Sequence, residues 1–276
     1  MVGVYSRISV GRCAPTIGLR SRGGRVFVAL SSNVSSAPPL MGNALPTAAP
    51  TLPPAALPVA YRATALAELP TPFAAAPPPG ALRLRQAWRG ETVQPGFRDG
   101  WFRVHWNETG LAVESVFSSP RPRNAARRLN EHTWELGEVA ETFLQEDGAT
   151  RYVEVHVTPE NQRLQLRFPH GGIEELRAGR RDLASFLIED PEWAWSQTWI
   201  VPGWWASRLV LPADCFSPGF LKAGSRFLAN FSRYDCADDG DPILSATAPL
   251  AEPFYHRRQN WQTFCLVESS GPRSGT

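Results

Sequence analysis

The chain has 276 residues, 43% hydrophobic and 11% aromatic, with ten tryptophans and a formal net charge of +2. That is enough apolar material for a sizeable core in one large domain or two small ones. Lys222 is the sole lysine, which argues against the basic patch of a nucleic-acid binder, and no run approaches the ~18 apolar residues of a membrane span; neither nucleic acid nor membrane is an expected partner.

Residues 1–79 differ from the rest. No Asp or Glu precedes Glu68, six Arg do, and twelve of the 26 prolines lie between Pro38 and Pro79. Such Ala/Pro-rich sequence buries too little apolar surface to offset its ordering entropy, so it reads as a disordered segment. The acid-free, Arg- and Ser-rich stretch before Met41 superficially resembles an organelle transit peptide, while Val26–Leu30 is too short for a secretory apolar region. Met41 is an alternative start.

From Gly80 the texture changes to short alternating strands. Leu82, Leu84 and Trp88 anchor the first. Phe102, Val104 and Trp106 face one way in the next, and the Asn107–Gly110 turn (NETG) leads into Leu111–Ser118 as a hairpin. Trp134–Leu144 and Tyr152–Thr158 are the next pair. In the second of them Val153, Val155 and Val157 point to the core, and Tyr152, Glu154 and His156 point away. Leu164, Leu166 and Phe168 alternate again, and Glu192–Ile200 and Ala206–Pro212 follow. Trp106, Trp193 and Trp195 read as packing residues, and at least one of Trp204 and Trp205 is expected to be exposed after Pro202-Gly203.

One or two short helices fit, around Ala213–Leu221 and Gly179–Leu187. Many strands at roughly 8–12-residue spacing indicate an all-β domain, an antiparallel β-sandwich of immunoglobulin or jelly-roll type, over residues 80–270. Residues 271–276 read as a flexible tail.

The richest stretch for chemistry is Arg226–Trp261. Phe227, Ala229 and Phe231 share one side of a strand with Arg233, while Asn230 lies on the other. Aromatic rings stack on the apolar face of a pyranose, and Arg and Asn reach its hydroxyls. Trp134, His256 and Trp261 are further candidates. The acidic turn Asp235, Asp238, Asp239 and Asp241 could supply oxygen ligands to calcium, although its spacing is not that of an EF-hand.

The four cysteines (Cys13, Cys215, Cys236, Cys265) lack CxxC spacing. A Cys215–Cys236 or Cys236–Cys265 bridge stays open beside the favoured reading of unpaired thiols. The five histidines show no HExxH spacing, and the only methionines, Met1 and Met41, lie outside the domain. Zinc catalysis and Met-ligated haem therefore find no support.

Four segments, in order, carry a resemblance: WELGEVAETFL (Trp134–Leu144), YVEVHVTP (Tyr152–Pro159), RFLANFSRY (Arg226–Tyr234) and YHRRQNW (Tyr255–Trp261). They are similar to motifs of the family 9-like carbohydrate-binding modules, a branch of the DOMON-like β-sandwiches, over roughly Leu82 to Glu268. The resemblance implies a sandwich with a sugar site on or beside one sheet, aromatic clamps and often structural calcium. It further implies a carbohydrate ligand, a role in carbohydrate catabolism, and no catalytic residues.

Glu138 and Glu141 lie three apart, so in a strand they point to opposite faces and cannot flank one glycosidic bond. Glu141 shares its face with Val139 and Phe143 and needs a counter-charge, for which Arg233 is the expected partner. The expected ligand-binding set is thus Trp134, Glu141, Asn230, Arg233, His256 and Trp261. The alternatives are a protein-interaction sandwich that has lost sugar binding and uses Trp204-Trp205, and a glycoside hydrolase-associated activity. With no signal peptide in view the default location is intracellular, although sugar-binding modules are usually exported. The oligomeric state is left open.

Overall fold

The computed structural model describes residues 58–66, 69, 71–73, 77–236 and 241–268. In chain order the strands are β1 (Val59–Arg62), β2 (Leu82–Arg83), β3 (Gly100–Asn107), β4 (Gly110–Ser118), β5 (Val139–Glu146) and β6 (Tyr152–Val157). They continue with β7 (Arg163–Phe168), β8 (Trp195–Val201), β9 (Trp204–Pro212), β10 (Arg226–Asp235), β11 (Ile243–Ala246) and β12 (Gln262–Val267). Two short helices, α1 (Thr133–Leu136) and α2 (Gly172–Arg177), complete the α and β elements.

The all-β class holds, and the NETG turn joins β3 to β4 as expected. The expected antiparallel sandwich needs correction. All twelve strands belong to one sheet, in the order β7-β6-β5-β10-β12-β1-β3-β4-β9-β8, with β11 paired to β10 and β2 to β3. The cause is β1. It runs parallel to both of its neighbours, β12 and β3, and so welds two antiparallel halves into one mixed sheet.

The halves curl over a shared core. Phe102 of β3 stacks on Phe231 of β10 at 5.2 Å between ring centroids, and Phe117, Trp205, Phe227 and Phe264 join them with almost no exposure. Each such side chain contributes about 1.5–3 kcal/mol of transfer free energy. The outer edges also meet: Arg163 Nη1 of β7 donates to Ser196 Oγ of β8 at 3.1 Å, and Thr198 Oγ1 donates to the Pro159 carbonyl at 2.9 Å. The result is a nearly closed, barrel-like sheet.

Val59–Arg62 falls in the stretch expected to be disordered, yet it is a strand and Ala60 is fully buried. Four residues flanked by prolines carry no usable alternation of their own. Their order comes from two neighbouring strands distant in sequence. The rest of that stretch up to residue 57, including Cys13, and the tail 271–276 lie outside the described residues.

The helices also differ from expectation. The segments around Ala213 and Leu183 make only single 3₁₀ turns, whereas α1 interrupts what reads as one strand from Trp134. Gly137 is the reason. At φ 149° it approaches the 123–124 backbone so closely that a Cβ would sit 2.4 Å from the Arg123 carbonyl oxygen, and the strand begins only after it.

Among the described residues Cys215, Cys236 and Cys265 form no disulfide. Trp106 is buried and donates through Nε1 to the Val267 carbonyl, but Trp195 is 41% exposed, against its expected packing role. It lies on the outward face of edge strand β8, where nothing among the described residues stacks on it. Trp205 is buried while Trp204, Ile200 and Val201 are exposed at the β8–β9 hairpin. No helix of the described residues is long and apolar enough to cross a membrane.

Candidate functional site

Strand register assembles the site. Glu141 of β5 pairs with His156 of β6 on one side and Ser232 of β10 on the other, so these three side chains share a face. Glu154 lies two residues from His156 and joins them. Val155 and Val157 take the opposite face and enter the shared core. On the polar face Phe143, Tyr152 and Phe168 cluster with Ile173 of α2 and with Tyr255 and Trp261. That cover turns an outward-pointing face into a buried one.

A pocket of about 370 Å³ opens there, within the range of small-ligand sites. Its walls are Trp134, Phe143, Leu166 and Phe168, with Ile173 and Arg177 of α2 and Leu244, Phe254 and Tyr255 opposite; Glu141, Glu154, His156 and His256 supply the polar groups. Trp134 stands half-buried at α1, stacked on His132 at 4.9 Å and edge-on to His156.

The polar groups are tightly interlinked. Thr133 Oγ1 lies 2.8 Å from His156 Nδ1. His156 Nε2 is 2.7 Å from Glu154 Oε1 and 3.5 Å from Glu141 Oε1. Ser232 Oγ donates to Glu141 Oε2 at 2.8 Å. Tyr152 OH lies 2.8 Å from His256 Nδ1, but His256 Nε2 stops 3.7 Å short of Glu154 Oε2. That oxygen is buried with no hydrogen-bond partner.

Burial pushes the Glu141 carboxyl up to about 7, against the pull of His156 and with the push of the Glu154 charge. Burial also raises Glu154 and lowers His156 and His256, against the attraction between acids and imidazoles. All four are pushed toward their neutral forms because desolvation outweighs the local charges. Among the described lining residues the only guanidinium is that of Arg177, an exposed side chain whose group lies 4.5 Å from the Phe254 ring.

Of the residues expected at a site, Trp134, Glu141 and His256 meet at this pocket. Three do not. Trp261 is buried in the adjoining cluster, with Nε1 donating to the Tyr255 carbonyl at 2.7 Å. Asn230 is fully buried, and its Oδ1 accepts from the Ala248 amide.

Arg233 is the clearest correction. Its expected partner was Glu141, but it binds Glu138 at 2.8 Å and Asp235 at 3.2 Å, inside the core and 5.0 Å from the Phe117 ring. Register explains the exchange. Arg233 pairs with Ala140, so it shares the face of Ala140 and Glu138, not that of Glu141.

Asp235 takes Arg98 as well, on both carboxylate oxygens, so cations of the chain already engage it. Asp241 is exposed, and Asp238 and Asp239 lie outside the described residues. Among the described residues no group of three His, Cys, Asp or Glu side chains could hold a metal ion.

Glu154, His156 and Arg177 were not anticipated at the site. The signal for the first two was present, since YVEVHV sets Tyr, Glu and His on one face, but nothing local announces the cover that buries them.

No family model and no curated protein matches the chain. Among solved structures, a protein from Bacteroides uniformis ATCC 8492, described as a candidate carbohydrate-binding protein, aligns with a TM-score of 0.52 at 15% identity, over 67% of this chain and 85% of its own. The fold is shared. A family 9 carbohydrate-binding module from Caldicellulosiruptor kristjanssonii also aligns: in complex with cellotriose at a TM-score of 0.45 and 13% identity (68% of this chain, 83% of the other), and in complex with glucose at 0.43 and 13% (67% and 84%).

Proposed function

We propose that the chain is a non-catalytic carbohydrate-binding module whose ligand occupies the pocket between the β5-β6-β7 face and the 253–256 segment. The observation that carries this reading is the pairing, in one pocket, of aromatic walls with a buried carboxylate oxygen that lacks a donor. Rings such as Trp134 and Phe254 offer faces for the C–H side of a pyranose, and a sugar hydroxyl would complete Glu154 Oε2. His256 and Arg177 supply further polar contacts in this reading, in place of Asn230 and Arg233. The fold shared with the Bacteroides protein supports the assignment, which would place the chain in carbohydrate catabolism.

Binding is favoured over hydrolysis by geometry. A glycosidase sets its two carboxyl groups on either side of the scissile bond. Here Glu141 and Glu154 lie on one floor, both within 3.5 Å of the same His156 nitrogen, so they do not stand on opposite sides of a scissile bond.

Calorimetric titration of the full chain with mono- and oligosaccharides tests the reading. Saturable heat is expected, weakened about tenfold by Trp134→Ala through the lost stacking surface. A folded chain that gives no heat with any sugar would overturn it. The assignment would then pass to a protein-interaction surface, for which the exposed Trp195, Ile200, Val201 and Trp204 are the apolar candidates.

A further inference from the structure

We propose that this pocket, on the reading that it is a sugar site, selects an amino sugar whose protonated amine is held between Glu154 and Glu141. Glu154 is 5% exposed, lines the pocket, and has one oxygen with no hydrogen-bond partner. Glu141 has one oxygen satisfied by Ser232 and the other 3.5 Å from His156 Nε2, at the limit of a hydrogen bond.

The imidazoles cannot make up the deficit. A neutral imidazole carries one N–H, and each ring's Nδ1 is already engaged, by Thr133 on His156 and by Tyr152 on His256. His156 can give its Nε2 proton to Glu154 Oε1 at 2.7 Å, while His256 Nε2 is 3.7 Å from the other oxygen.

A hydroxyl offers one donor and no charge. An ammonium offers three donors and the positive charge that two desolvated carboxylates lack. The raised carboxyls agree with a pair that awaits a cation. An anionic sugar would face both acids, with the exposed Arg177 as the one guanidinium among the described lining residues to offset them. The aromatic walls take the ring, and the acid floor takes the amine.

Glucosamine, N-acetylglucosamine, glucose and glucuronate titrated into the full chain at pH 7 separate the cases. Glucosamine is expected to bind roughly tenfold tighter than glucose through its charge-assisted hydrogen bonds. It should release protons from the acid pair, seen as a binding heat that changes with buffer ionisation enthalpy. N-acetylation should remove the advantage, and glucuronate should bind weakest. Glu154→Gln should weaken glucosamine far more than glucose, so that the preference is lost; if that variant does not fold, Glu141→Gln carries the same expectation. Glucose binding as tightly as glucosamine, or an unchanged preference in the variant, overturns the amine assignment and leaves the module reading standing. No binding of any of the four, or of longer sugars, overturns both.

Discussion

Arg233 is buried between Glu138, which also accepts from Trp205 Nε1 and Ser119 Oγ, and Asp235. Removing its guanidinium takes the counter-charge from buried Glu138 while Asp235 keeps Arg98, so Arg233→Ala should cost about 3–5 kcal/mol of stability by denaturant unfolding. Sugar affinity of the molecules that remain folded should not change. Trp261→Ala should behave alike, losing about 3–5 kcal/mol from a cavity in the core; unaltered unfolding with lost binding in either variant would place that residue at the ligand instead. Glu141 makes a different prediction. An acid whose pKa rises on folding, here from 4.5 to about 7, holds an extra proton in the folded state between those values. Its contribution to stability therefore falls as pH climbs through that window. Glu141→Gln should gain on the parent chain by up to about 3 kcal/mol between pH 4.5 and pH 7. The opposite trend of His256, whose lowered pKa erodes stability as pH falls below 6.5, is common to both chains; that of His156 deepens in the variant, which lacks the Glu141 charge that pulls its pKa up. A stability difference flat with pH would contradict the burial account. That Glu141 is half of a face with Phe143 is legible from alternation alone. Which cation meets which acid is not, because one step of register across β5 and β10 decides it.

At the scale of elements, the β3–β4 hairpin was legible because NETG sits between two clean alternating runs, and β10 because Phe227, Ala229 and Phe231 keep strict period two. The polar face of β6 was legible as a face. Its burial was not, since the covering residues lie in α2 and around 254–261, far along the chain. β1 was hidden for a related reason: its partners β12 and β3 begin roughly 200 and 40 residues later. Its role gives an element-scale prediction. A chain beginning at Gly80 lacks β1, which leaves β12 and β3 with open edges and Ala60's place in the core empty. It should fail to show cooperative thermal unfolding, whereas the full chain should show a single transition. A truncated chain melting at the parent temperature would make β1 dispensable.

For the whole molecule, strand content and the position of the core followed from patterning, while closure did not. Two antiparallel halves are what alternation and turn spacing predict. A four-residue parallel strand joins them at one seam, and side chains of Arg163, Ser196 and Thr198 draw the two edges together at the other. This frame matters because it pairs β5 with both β6 and β10, and so sets the spacing of Glu141, Glu154 and His156 by strand register. The crystal structure of the full chain with the monosaccharide that binds it best is the direct test. The account predicts one sugar ring in the pocket beside Trp134 and Phe254, with a donor atom at hydrogen-bond distance from Glu154 Oε2. A ring seated instead on the exposed tryptophans of the β8–β9 hairpin would contradict it.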